Sequence, residues 1–121
     1  MTPRVLVVDD SPQFRDVAVA LLAERGIELF AQATDGGQAL DAVARVCPDG
    51  ILLDINLPGP DGFTVAAALA VACPRARIVL TSASVGSVPE QLLADCPAIA
   101  FVPKEELPGT DLGALFRPAG T

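Results

Sequence analysis

Three acids and one amine stand where apolar runs end. Val5-Leu6-Val7-Val8 runs into Asp9-Asp10, and Ile51-Leu52-Leu53 runs into Asp54. Ile78-Val79-Leu80 ends in Thr81-Ser82. Ala98-Ile99-Ala100-Phe101-Val102 passes Pro103 and ends in Lys104, the only lysine in the chain. If these runs are parallel strands, three carboxylates, a hydroxyl and an amine meet at one edge of one sheet. Hard oxygen ligands beside a single amine suit a divalent cation and a phosphoryl group. Asp9 and Asp10 repel each other, so their shared place at a strand end calls for a cation. The seven other basic residues are all arginine. A lone lysine at this point suggests that a compact point charge is needed, where arginine would bring a broad fork.

The rest of the composition narrows the chemistry. Histidine, Trp and Tyr are absent. That removes His-based zinc sites and Ser-His-Asp or Cys-His catalysis, and any phosphohistidine must come from a partner. The net charge of −7 without a basic cluster argues against direct nucleic-acid binding. No uncharged apolar run approaches the roughly 20 residues that span a bilayer, so a cytoplasmic protein without membrane contact is expected. Cys47, Cys73 and Cys96 each precede a proline. An odd count with no signal-like segment argues against a disulfide framework. Three free thiols are expected, in a row at helix ends and too far apart to bridge.

The elements that must position the acids follow from periodicity. Arg4–Val8 reads as a first strand. Ser11-Pro12 caps and starts a helix, with Phe14, Val17, Ala18, Leu21 and Leu22 at helical spacing, ending near Arg25-Gly26. Residues 27–33 form a weaker second strand. Thr34 or Asp35 caps a helix that stops at Cys47-Pro48. Residues 50–53 are apolar without interruption, as in a strand covered on both faces. Leu57-Pro58-Gly59-Pro60-Asp61-Gly62 is a turn-rich loop, with Asp61 an N-cap for a helix over 63–72. Strands over 77–81 and 98–102 and short helices over 89–94 and 110–116 complete the chain. Alternation of this kind implies a parallel sheet with helices on both faces. The common five-strand solution is the flavodoxin-like (βα)5 order 2-1-3-4-5, whose ligands sit at the carboxyl strand ends.

In these motifs and their order the chain resembles the receiver domain of two-component response regulators, over nearly its full length. The resemblance rests on Val5–Asp10 taken together, Leu52-Leu53-Asp54, Leu57–Gly62, Ser82-Ala83 and Phe101-Val102-Pro103-Lys104. It implies that Asp54 is the phosphoacceptor. It implies an Mg²⁺ site of Asp10, Asp54, the Asn56 backbone carbonyl and Asp9, the last partly through water. Lys104 would pair with Asp54 and later with phosphoryl oxygens, beside the Ala83 backbone amide. Phe101 would be the switch aromatic. Ser82 lies 22 positions before Lys104 and precedes a small residue, as the family hydroxyl does. It is therefore preferred, with Thr81 the runner-up. Glu105 stands where the family usually has proline, which leaves the isomer of the Lys104–Glu105 peptide open.

The implied function is that of a signalling receiver rather than an enzyme. It would take a phosphoryl group from a sensor histidine kinase or a phosphotransfer protein and act on a downstream protein target. Since 17 residues follow Lys104, a single-domain receiver over residues 1–121 is expected. The alternatives are the N-terminal receiver of a longer DNA-binding regulator and a receiver-like module that is never phosphorylated. A small Mg²⁺-dependent phosphatase is disfavoured, because the proton-donating acid it needs two residues after Asp54 is here Asn56.

Overall fold

The computed structural model describes residues 2–83 and 90–117. Five strands alternate with helices: β1 Arg4–Val8, α1 Pro12–Glu24, β2 Glu28–Ala33, α2 Gly36–Arg45, β3 Gly50–Asp54, α3 Gly62–Ala72, β4 Arg77–Ser82, α4 Glu90–Asp95, β5 Ala100–Pro103 and α5 Leu112–Phe116. A 3-10 turn, Lys104–Gly109, lies between the last two. All strand pairs are parallel, and the sheet order is β2-β1-β3-β4-β5. This is the flavodoxin-like doubly wound arrangement that the alternating pattern predicts.

Local chemistry sets the element ends. The Ser11 hydroxyl accepts the Phe14 N–H, with Pro12 opening α1. Asp35 rather than Thr34 caps α2, and Asp61 caps α3 through the Thr64 N–H. Gly26 follows α1 at φ 69, a left-handed turn that glycine makes without steric cost. β3 is buried at every residue. One core cluster joins Leu6, Val8, Ile51, Leu53, Ile78 and Leu80 to α2 and α3, with Leu93 of α4 against it. The other joins Val5, Val7, Leu52, Val79 and Val102 to Leu22 of α1 and Phe116 of α5. The alternation along each strand therefore divides the side chains between two faces.

Several boundaries move by a residue or two. β4 continues to Ser82, and β5 runs over Ala100–Pro103 instead of 98–102. α5 starts only at Leu112, because the 3-10 turn takes up the preceding residues and Asp111 supplies the cap. The expected start of the fourth helix at Pro89 lies outside the described residues. There are no cis peptide bonds among the described residues, so Lys104–Glu105 is trans.

The cysteines differ from expectation. Cys47 and Cys73 form a disulfide with Cα atoms 5.7 Å apart, and Cys96 alone is free. The helix placement behind the expectation holds, since α2 and α3 do share a face. The error lay in applying the 8–10 Å spacing of helix axes to residues that lie off the helices. α2 ends at Arg45, and Val46 is already extended at φ −149, ψ 133. The chain there turns toward the end of α3, where Cys73 is the C-cap residue. Within about 7 Å, two cysteines can be bridged.

Candidate functional site

The site is built by three adjacent strand ends and the turn after β5. β1 pairs with β3 through Val8 and Leu53, so Asp9 and Asp54 come next on their strands. Asp54 lies in register with Thr81, and Thr81 with Val102, two residues before Lys104. By alternation, Asp9, Asp54, Thr81 and Lys104 continue the face that carries Val7, Leu52, Val79 and Val102.

Asp9 is fully buried. Its Oδ1 accepts the Ser11 N–H at 2.8 Å, and its carbonyl accepts Arg15 Nη1 at 2.8 Å. Its Oδ2 lies 2.7 Å from Lys104 Nζ. The expected pairing of Lys104 with Asp54 is present but longer, 3.4 Å to Oδ2. The ammonium leans toward the acid with no access to water, where an uncompensated charge would cost most. It also sits 4.1 Å from the centre of the Phe14 ring, a favourable place for a cation.

Asp54 is 4% exposed. Its Oδ1 accepts the Asn56 N–H at 3.0 Å. Burial holds its carboxyl above the ordinary value of 3.8, because the charged form loses water. The nearby Asp9 charge pushes the same way, while the Asn56 N–H and Lys104 oppose it. Asp10 is exposed at the rim. One carboxylate oxygen from each of Asp9, Asp10 and Asp54 falls within 4.8 Å of the others. Three acids share one lysine, and two of the three are buried. A donor set of that charge and hardness fits Mg²⁺.

The two candidate hydroxyls are separated cleanly. The Ser82 side chain is buried, and its Oγ accepts from Asn56 Nδ2 at 3.0 Å. Thr81 is also buried, on the opposite face, and its hydroxyl has no partner among the described residues. Ala83 is exposed just beyond β4. Phe101 is half-buried, in register with Leu80 and against the core cluster of α2 and α3.

Three contributors escaped the sequence reading: Ser11 as a donor to Asp9, Arg15 as a clamp on its carbonyl, and Phe14 as a platform for the ammonium. The signal for Phe14 was its place in the first turn of a helix that begins at the acidic pair. Core spacing alone explains an aromatic there, so periodicity concealed the second role.

A doubly wound parallel sheet with an acid–lysine cluster at its carboxyl edge defines a class of α/β proteins that bind ligands at that edge. Within that class the chain belongs to the response regulator receiver domain family, whose model matches residues 5–110. It is 34% identical to the signal receiver domain of the putative response regulator NarL from Mycobacterium tuberculosis, with TM-score 0.78 over 94% of this chain and 96% of that one. It is 31% identical to the response regulator protein TrrA from Thermotoga maritima, solved in complex with Mg²⁺-BeF, with TM-score 0.71 over 84% of this chain and 85% of that one. Among curated proteins it is 35% identical to protein-glutamate methylesterase/protein-glutamine glutaminase 3 of Anaeromyxobacter dehalogenans, over 88% of this chain and 32% of that protein. The chain thus spans about a third or less of the length of these curated relatives, from 22% to 34%, and the esterase activity in their names belongs to those whole proteins. No helix among the described residues is long and apolar enough to cross a membrane.

Proposed function

We propose that the chain accepts a phosphoryl group on Asp54 from a phosphohistidine of a sensor kinase or phosphotransfer protein, and passes the signal to a protein target by a change of packing. The observation that carries this is the buried Asp54 carboxylate, held by the Asn56 N–H at 3.0 Å and flanked by Asp9 and Lys104. Asp54 supplies the nucleophilic oxygen. A P–O bond forms as the P–N bond to the donor imidazole breaks, and the imidazole nitrogen leaves with the electron pair and takes up a proton. Asp9, Asp10, Asp54 and the Asn56 carbonyl would hold Mg²⁺, which when bound offsets phosphoryl charge. Lys104 adds a point charge for the same oxygens.

The response rests on this chain's own residues. Ser82, now bonded to the Asn56 amide, would turn its hydroxyl toward the new oxygens, with the Ala83 amide beside it. Space released next to β4 would admit Phe101, so that the two packings differ around β5. The residue two positions after Asp54 is Asn56, so that position supplies no general acid for hydrolysis of the acyl phosphate. Incubation with Mg²⁺ and acetyl phosphate, read by intact mass, should add one phosphoryl group per chain. That mass should be missing in Asp54→Ala, and an adduct that survives there would rule the assignment out.

A further inference from the structure

The Cys47–Cys73 disulfide stands where α2 and α3 end, at the opposite edge of the sheet from the acid–lysine site. Its two sulfurs have different surroundings. Cys47 is exposed, with Sγ 3.7 Å from the Ala72 carbonyl oxygen. Cys73 is 1% exposed and belongs to the core beneath α2 and α3, with Sγ 4.0 Å from the Val43 carbonyl oxygen. Disulfides with an exposed sulfur are the exchangeable kind. The surface beside this one is also apolar. Val46 precedes Cys47 and is 52% exposed. Val71 precedes Ala72 and is 83% exposed, the most of any large hydrophobic residue among those described. A single exposed valine needs no explanation, but these two flank the open side of the disulfide.

We infer that this disulfide is an exchange site for a protein dithiol of the Cys-x-x-Cys kind, which docks an apolar surface on Val46 and Val71 and attacks Cys47. Exchange needs a thiolate approaching along the S–S bond. At Cys73 such an approach must pass through the core, whereas Cys47 is open to solvent. The partner's thiolate bonds to Cys47 Sγ as the Cys47–Cys73 bond breaks. The Cys73 sulfur leaves with the electron pair and takes up a proton from water, which it can share with the Val43 carbonyl. The partner's second thiolate then attacks its own first sulfur and releases Cys47, which is protonated in turn. Both cysteines end reduced, and the partner's dithiol ends as a disulfide. A buried sulfur leaves reluctantly, because apolar surroundings disfavour its thiolate. A free thiol therefore exchanges slowly, and a docked one, at high effective concentration, gains most. The buried Cys73 thiol is likewise slow to return, so a partner with a second thiol is favoured over a monothiol.

The test follows loss of the disulfide in the oxidised chain by thiol labelling and intact mass, with either dithiothreitol or reduced thioredoxin as the dithiol. Thioredoxin should react roughly 100-fold faster per mole. Val46→Gln combined with Val71→Gln removes apolar surface without adding charge. It should slow thioredoxin roughly tenfold and leave the dithiothreitol rate unchanged. Thioredoxin whose second cysteine is replaced by serine should be trapped as a mixed disulfide, and peptide mapping should place it on Cys47. A thioredoxin rate no greater than that of dithiothreitol, or trapping on Cys73, would overturn the inference. So would a valine variant that thioredoxin reduces at the wild-type rate, or one that both reductants reduce equally slowly.

Discussion

Asp54 and Lys104 show how a buried carboxylate can strain the fold that holds it. Asp54 is almost wholly buried, and its carboxyl sits above 3.8 chiefly because of burial, with Asp9 adding to the effect. A raised carboxyl binds protons more tightly folded than unfolded, so stability is greatest below the unfolded value. It falls as pH rises from 3.8 through the folded value. Asp54→Asn keeps the shape and an acceptor for the Asn56 N–H, but not the charge. Without Mg²⁺ it should be more stable than wild type at neutral pH, by about 1 kcal/mol. That advantage should shrink toward pH 4, which urea melts at both pH values would check. Lys104→Met has the opposite sign. It leaves Asp9 buried and uncompensated, and breaking such a pair costs about 3–5 kcal/mol. The same melts should show a loss at the lower end of that range, because Lys104 is partly exposed at 17%, and saturating Mg²⁺ should restore part of it.

At the scale of elements, the strands were legible because each run changes character sharply where it leaves the sheet. Val8 to Asp9 and Leu53 to Asp54 mark both a strand end and a site residue, so fold and candidate site were read from the same positions. Caps were readable for a similar reason: Ser11 and Asp61 stand directly before helices that need an acceptor for orphan N–H groups. Contacts that depend on a third dimension were not readable, among them the closer pairing of Lys104 with Asp9 and the bond from Asn56 to Ser82. Gly62 is another. As a sequence feature it is a loop glycine, but in the fold it brings α3 against the backbone after β3. A Cβ there would lie 2.4 Å from Ile55 Cα and 2.6 Å from the Asp54 carbonyl oxygen. Both are backbone atoms and cannot swing aside. Gly62→Ala should therefore cost about 1–3 kcal/mol, the usual range for overpacking. It should also lower the rate of adduct formation from acetyl phosphate, because the displaced backbone carries Asp54, the proposed phosphoacceptor. Unchanged melting would show that α3 can shift freely.

Over the whole molecule, the two edges of the sheet do different jobs. The carboxyl edge gathers charge, while the opposite edge carries the Cys47–Cys73 link where α2 and α3 run out. The link joins two helices of one face, closing a loop of 26 residues. It acts mainly by limiting the unfolded chain, and for a loop of that length the entropy estimate is about 3.5 kcal/mol. Cys47 is exposed and Cys73 buried, so a reductant can reach the bond from the Cys47 side. Protein unfolded without reductant should show one free thiol, that of Cys96, and three after reduction. Cys47→Ser should lower stability by about 2–4 kcal/mol and still form the phosphoryl adduct on Asp54, because the site draws its geometry from strand ends across the sheet. Loss of the adduct in a Cys47→Ser protein that remains folded would mean that the helical face transmits strain from one edge to the other. Three free thiols before reduction would remove the link itself, and the stability difference should then vanish with it.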